Sequence, residues 1–365
     1  MLRELYPLLV FFFAGVVAVI AALYFALVAV GRDVPGQGRQ FALPIDCAIG
    51  ENCFIQNYVD VDPGPAAVDY VCGGATYDGH KGTDFRVLSA AAGEGVAVVA
   101  AAGGKVLRLR DSMQDRLMRD YGSRDELKRG IGSNDCGNGV VIDHGEGWTT
   151  QYCHLRRGSI SVKPGQSVQA GHRLGEVGYS GRADFAHVHL TVRHNEEVVD
   201  PFLGEAVGQP GDGQGQGASC KAGAGTFDGL WQPAIRDLLA YDRHIIFDAG
   251  FAGTPPEHNA LERDHRLDAP QANSEALVFY ARMMNLKAGD RIKVAVAGPD
   301  GFRAGSTTEP LERNKAVQFI FAGKKRTAER WPAGQYKGGV AVLRRPGEGE
   351  AAKVIAEKRL AFDLP

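Results

Sequence analysis

The sequence predicts a mainly β protein: an antiparallel β-sheet domain followed by a β-sandwich domain, with one N-terminal transmembrane helix ahead of both. Three observations carry this expectation. Glycine is abundant, 48 of 365 residues, and recurs at turn-like intervals, which favours short strands joined by tight turns. Short runs with strand-like alternation fill residues 71–204, such as GVAVVAA (95–101), GKVLRLR (104–110), GVVIDH (139–144) and HVHLTVR (187–193). Residues 8–30 hold neither a charged side chain nor a proline over 23 positions. As a helix they would extend about 35 Å, enough to cross a hydrocarbon core of about 30 Å.

The apolar stretch is longer than the roughly 7–15 residues of a signal-peptide core, so residues 1–32 are read as a retained single-pass anchor. Arg3 lies on one side of it and Arg32 and Arg39 on the other, so positive charge does not set the orientation. Cysteine usage does. All six cysteines (Cys47, Cys53, Cys72, Cys136, Cys153 and Cys220) follow the anchor, an even set suited to disulfides in an oxidising compartment. The expected location is therefore the inner (cytoplasmic) membrane, with the folded domains in the periplasm or extracytoplasmic space. Six cysteines allow 15 pairings, among which sequence does not choose. The pairing expected here is Cys47–Cys53, Cys136–Cys153 and Cys72–Cys220.

The length suits two globular units. Residues 33–70, with prolines at 35, 44, 63 and 65 and a small cysteine loop, read as an irregular stalk. The first β domain covers 71–204, interrupted by a charged insertion at 111–135 that reads as helical or mobile. Within it, VKPGQSVQAGHRLGEVG (162–178) reads as a hairpin. Residues 205–225 are Gly/Gln-rich and cannot bury a core, which makes them a linker. Residues 226–365, with RIKVAVAGPDG, AVQFIFAG and GGVAVLRR, read as the β-sandwich. A net charge of −2 lacks the basic excess of a nucleic-acid binder.

Three segments of the first domain concentrate candidate chemistry: GHKGTDF (79–85), QYCHL (151–155) and AHVHL (186–190). Alternate residues of a strand share a face, so His187 and His189 project together. Two imidazoles on one strand face are costly to bury unless a metal or hydrogen bonds engage them. A glycine between His80 and Asp84 permits a sharp backbone path that brings both to one point. Two histidines and a carboxylate with an open fourth position describe a catalytic zinc site, where water reaches a pKa of about 7. No HExxH occurs, so the acid–base role falls to the remaining imidazoles.

GHKGTDF, YCHL and HVHL resemble the HxxxD, YxHL and HxH motifs of the M23 (LytM/lysostaphin-like) zinc metallopeptidases. GYSG before HVH and the 162–178 segment are also similar to that family's pattern. The resemblance spans about residues 71–204. It implies zinc (Zn2+) ligation by His80, Asp84 and His189, and catalytic imidazoles at His154 and His187 that orient the water and stabilise the oxyanion. It further implies a small antiparallel β groove and, as substrate, the stem-peptide crosslinks of peptidoglycan. The 111–135 insertion departs from the family pattern, and Cys153 beside His154 suggests a disulfide bracing that strand.

Competing readings fare worse. Ser180 in GYSGR lacks the second glycine of a nucleophile elbow, because position 182 is arginine. A 2-His-1-carboxylate iron site would leave His154 and His187 without work. His144, His172, His194, His244, His258 and His265 lack a partner pattern and read as surface or structural. A non-catalytic activator or scaffold for other wall hydrolases is the main rival, and the presence of all five site residues argues against it. Trp231, Trp331 and Tyr336 read as core or edge packing, within a C-terminal targeting, spacing or partner-binding module for protein or glycan.

Overall fold

Alternating apolar side chains gather the first half of the chain into a nine-stranded antiparallel sheet. Its strands are β1 (Cys53–Asn57), β2 (Thr83–Val87), β4 (Gly104–Arg110), β5 (Asn138–Gly145), β6 (Trp148–Leu155), β7 (Ser167–Val168), β9 (His187–His194), β10 (Glu197–Asp200) and β11 (Glu205–Ala206). The order is β1-β2-β9-β6-β5-β4-β7, with β10 pairing β9 and β11. A two-stranded sheet of β3 (Ala97–Val99) and β8 (Arg173–Glu176) closes over the core-facing side. Phe85, Val87, Val140, Ile142, Tyr152, Val188 and Leu190 point into one apolar core with Val98 and Leu174.

The computed structural model describes residues 39–88, 93–207, 220–222, 229–241, 245–262, 267–347 and 349–365. The apolar segment 8–30 and most of the Gly-rich linker lie outside them. Among the described residues no helix is long and apolar enough to cross a membrane. Residues Phe41–Pro365 form one compact unit.

Several boundaries differ from the sequence expectation. The described part of the expected stalk is built into the first domain: β1 is a sheet strand, and Phe41, Ile45, Tyr58 and Tyr70 are core residues. Prolines mask this because the segment packs as irregular backbone, without a periodic pattern. The expected hairpin at 162–178 is a crossover instead. β7 pairs β4 while β8 pairs β3, which sends Val168 and Leu174 into the core from different sheets. Trp231 returns to the first domain, bridging Phe41 and packing against Phe85 and Phe202. The charged insertion contains helix α1 (Arg124–Ile131), which starts on a Ser123 side chain accepting from Glu126 N.

The three disulfides are Cys47–Cys53, Cys72–Cys220 and Cys136–Cys153, the expected pairing.

The second domain is a sandwich of two antiparallel sheets. One holds β12 (Ile246–Ala252), β13 (Ala276–Leu286) and β16 (Lys315–Lys325). The other holds β14 (Arg291–Ala297), β15 (Arg303–Thr307), β17 (Gly334–Arg344) and β18 (Lys353–Leu364). Leu277, Phe279 and Met283 from the first meet Ile292, Val294, Tyr336 and Val340 from the second. Tyr336 is a core residue, and the half-buried Trp331 packs on Phe302 and donates its indole N–H to Ser274 O.

The sandwich docks on the first domain through a small apolar cluster and a buried ionic one. Phe54 packs with Phe247 and Met284. Beside them the fully buried Arg86 pairs with Glu262, which also faces Arg282 at 3.4 Å; Arg282 in turn holds Asp248 at 2.7 Å. The Arg86 guanidinium lies between the rings of Phe185 and Phe247, 4.6 and 4.5 Å from their centroids. Two buried charges repay their desolvation only while both are present.

Two stability predictions follow from these buried charges. Arg86→Met or Glu262→Gln alone is expected to destabilise the protein by about 3–5 kcal/mol, whereas the double replacement Arg86→Met/Glu262→Met recovers most of the loss; urea unfolding of the three variants checks this. Asp200, at the end of β10, accepts from Phe202 N and Leu203 N through Oδ1, while its buried Oδ2 has no partner among the described residues. Burial pushes its pKa up to about 7. The folded state therefore keeps a proton that the unfolded chain releases above about 4, so this group's stabilising contribution fades as pH rises towards 7. Asp200→Asn should remove that slope when unfolding is compared at pH 5 and pH 8.

Candidate metal centre

The registers of three neighbouring strands assemble the site. In β2 and β9, Asp84 stands directly opposite His189, and in β9 and β6, His189 stands opposite Cys153. Directly opposed residues share a face, so all three project away from the core. His187, two residues before His189, joins them, as strand alternation predicts. His80 arrives from the loop before β2, and its path is tight. A Cβ on Gly82 would lie 2.5 Å from His189 Nε2 and 2.6 Å from Leu190 O.

His154 reaches the same face by a different device. Plain alternation would turn it into the core, since Tyr152 points there. Instead Val140 pairs with Tyr152 and Asn138 with Leu155, so the single Gly139 opposes both Cys153 and His154. This is a β-bulge, and His154 sits in it with φ 65°, a left-handed value rare outside glycine. The extra residue swings the imidazole back to the face that holds His189. The Cys136–Cys153 disulfide and the His154 N–H bond to Cys136 O (2.9 Å) pin the bulge.

The candidate ligand atoms are close. His80 Nε2 lies 3.2 Å from Asp84 Oδ1 and 3.1 Å from His189 Nδ1, and His189 Nδ1 lies 2.8 Å from Asp84 Oδ1. Tetrahedral ligands about 2.0–2.1 Å from one zinc stand about 3.3 Å from each other, close to this triangle. Hydrogen-bond chemistry supports the fit. His80 Nδ1 donates to Tyr58 O at 2.6 Å, which leaves the Nε2 lone pair of the neutral ring aimed at the centre. His189 Nε2 is satisfied by Thr191 Oγ1 at 3.0 Å, which frees Nδ1. Two imidazole lone pairs and a carboxylate at this spacing repel unless a proton or a metal cation lies among them, and this nitrogen and oxygen donor set fits a divalent metal.

The remaining two histidines are oriented by the same rule. His154 Nδ1 donates to Ser180 O at 2.8 Å, and His187 Nδ1 to Phe185 O at 2.9 Å. Each therefore turns Nε2 away from a backbone carbonyl; their rings stand 4.6 Å apart, and His154 lies 6.0 Å from His189. Burial, then the His187 and His189 charges, hold the His154 pKa well below the usual imidazole range; burial likewise lowers His187 and His189. Burial would raise the Asp84 carboxyl, but His80, His187 and the His189 hydrogen bond hold it well below the carboxylate range. For His80 the Asp84 charge and hydrogen bond outweigh burial, and its pKa is raised. The centre thus combines an ionised carboxylate with two neutral proton acceptors.

All five expected site residues meet at this centre. Of the other histidines, the buried His144 is engaged by Gly103 O and Thr150 Oγ1, and His194 stacks on Trp148. His172 contacts Gln166 at the surface. His244 and His265 lie outside the described residues, as does the side chain of His258. Sequence reading singled out the glycine between His80 and Asp84, which is Gly82, but missed the other supports: Thr191 and the carbonyls of Tyr58, Ser180 and Phe185. Ser180, rejected as a nucleophile, works structurally, since its Oγ accepts from Asn138 N and donates to Leu155 O.

Gly82→Ala should displace His189 and weaken divalent-metal binding by roughly tenfold or more while circular dichroism stays unchanged. Metal titration of the purified variant reads the effect.

The sequence model described as Peptidase family M23 matches residues 78–201. The chain is 39% identical over 73 residues to the cell division protein DipM of Caulobacter vibrioides, a match covering 18% of this chain and 12% of that one. It is 47% identical over 53 residues to the peptidoglycan DD-endopeptidase ShyA of Vibrio cholerae, covering 14% of this chain and 12% of that one. A solved zinc-containing peptidase from Vibrio cholerae shares 26% identity, with 44% of this chain and 39% of that one covered and a TM-score of 0.30. The strands that bring His80, Asp84, His154, His187 and His189 together thus lie within residues 78–201, the segment that matches the model of peptidase family M23.

Proposed function

We propose that this protein is a zinc endopeptidase that hydrolyses the peptide crosslinks of peptidoglycan outside the cytoplasm, tethered to the inner membrane by its N-terminal helix. The observation that carries the reading is the convergence of His80, Asp84 and His189 within 2.8–3.2 Å, with two further imidazoles beside them. The match to a peptidoglycan DD-endopeptidase supports the substrate class, and three disulfides with the apolar segment 8–30 support the location.

His80 Nε2, Asp84 Oδ1 and His189 Nδ1 would hold the zinc. When bound, zinc polarises the scissile carbonyl and lowers the pKa of a water to about 7. His154, neutral and with Nδ1 fixed on Ser180 O, offers Nε2 as the acceptor for a proton from the attacking water. Once protonated, the same imidazole becomes the donor that returns the proton to the leaving amine. His187, held by Phe185 O through Nδ1, stands beside His154 as a second imidazole that can orient the attacking water. The low dielectric of the buried face strengthens each of these interactions.

His189→Ala should abolish both zinc content and hydrolysis. His154→Ala should retain zinc and lose about 10²–10⁴ in rate. Metal analysis and mass spectrometry of fragments released from purified wall check both outcomes. Full zinc occupancy in the wild type without any released fragment would favour a non-catalytic activator of other wall hydrolases.

A further inference from the structure

The metal-bearing face of the nine-stranded sheet is unevenly covered. On β2, Arg86 follows Asp84 on the same face and is roofed by Phe247 and Glu262 of the sandwich. In the other direction the face continues across β6, β5 and β4. His189 is opposite Cys153, the bulge is opposite Gly139, and Gly139 is opposite Arg110. One row along, Thr191, Gln151, Val141 and Arg108 follow in the same order. Three strand spacings separate His189 from Arg110, about 14 Å along the row.

At the far end lies a cavity of about 230 Å³, lined by Arg108, Arg110, Gly139, Val141, Gln151 and, from the insertion, Asn134. Its floor is low at Gly139, where a Cβ would stand 3.0 Å from the Cys136 sulfur. Arg108 and Arg110 make its lining basic. Arg108 and Arg110 are exposed and form no ion pair among the described residues; Arg110 gives one N–H to Gly137 O at 3.1 Å. Arg193, on the same face, donates to Gln151 Oε1; it is partly buried, and the opposite charge of Glu196 acts on it ahead of the like charge of Arg108. Asp143, one row further along between Lys105 and Thr149, is turned to Gly145 N. Two guanidinium groups lining one cavity suit a carboxylate, which they hold with paired, charge-assisted hydrogen bonds.

We infer that Arg108 and Arg110 form a carboxylate-binding subsite that seats an acidic arm of the substrate peptide, about four extended residues from the scissile bond. The subsite rests on the peptidase reading for its substrate and deepens it: the peptide must carry a free carboxylate on the side that crosses β6, β5 and β4.

The test uses the full chain and a fluorescent uncrosslinked stem peptide with free carboxylates, beside its fully amidated counterpart. Wild type is expected to bind the carboxylate form at least tenfold more tightly, and Arg108→Gln/Arg110→Gln to reduce that preference to near unity. Equal binding of the two peptides by the wild type, a preference that survives in the variant, or no binding of either would overturn the subsite. Wall digestion by the same wild-type preparation is scored separately. A carboxylate preference without digestion sinks the peptidase reading and leaves the subsite, whereas digestion without the preference sinks the subsite alone.

Discussion

The chemistry of this domain depends on one constraint, the antiparallel register of β2, β9 and β6. Asp84, His189 and Cys153 stand in a single cross-strand row, and a slip of one residue in either pairing would send a ligand into the core. The apolar residues between them enforce the register: Phe85, Val188, Leu190 and Tyr152 are fully buried and would have to leave the core for the strands to slide. His154 is the exception that needed its own device, and the bulge opposite Gly139 supplies it. The second layer of control is also backbone. Carbonyls of Tyr58, Ser180 and Phe185 select the tautomer of three imidazoles, so the proton-accepting nitrogens are set by main-chain geometry.

The loop that delivers His80 is organised by two buried aspartates. Asp60 accepts from the backbone N–H groups of Asp62, Val68 and Gly79, and Asp69 from those of Val71, Gly73 and Ala75 and from the Tyr241 hydroxyl. Each carboxylate replaces water with several directed donors, which is how a buried acid remains affordable in a folded chain. The Tyr241 hydroxyl comes from beyond the Gly-rich linker, so this loop draws on residues from both ends of the domain. Arg86 extends the same logic outward, since it lies opposite His187 in the β2–β9 register and carries the sandwich on its other side.

Much of the site was legible because its chemistry is local in sequence. HVH reads as two imidazoles on one strand face, and GHKGTDF places a ligand pair around a permissive glycine. The even cysteine set pointed to disulfides, and their pairing matches the expectation. What stayed hidden depends on distance or on broken periodicity. Arg86 and Glu262 are 176 residues apart, and neither has a neighbour that advertises the other. Residues 41–70 look like a stalk because prolines interrupt any alternation, yet Tyr58, Tyr70 and Phe202 form a tight aromatic group in the core. The bulge was invisible because a run such as QYCHL alternates normally until the partner strand is known.

The Cys72–Cys220 bond has a mechanical consequence. It joins residues 148 positions apart, and every metal-site residue lies between them. Tension applied from outside this loop, upstream of one cysteine and downstream of the other, would pass from sulfur to sulfur along the covalent path and bypass the strands in between. The row of metal-site residues would stay slack while the rest of the chain bore the load.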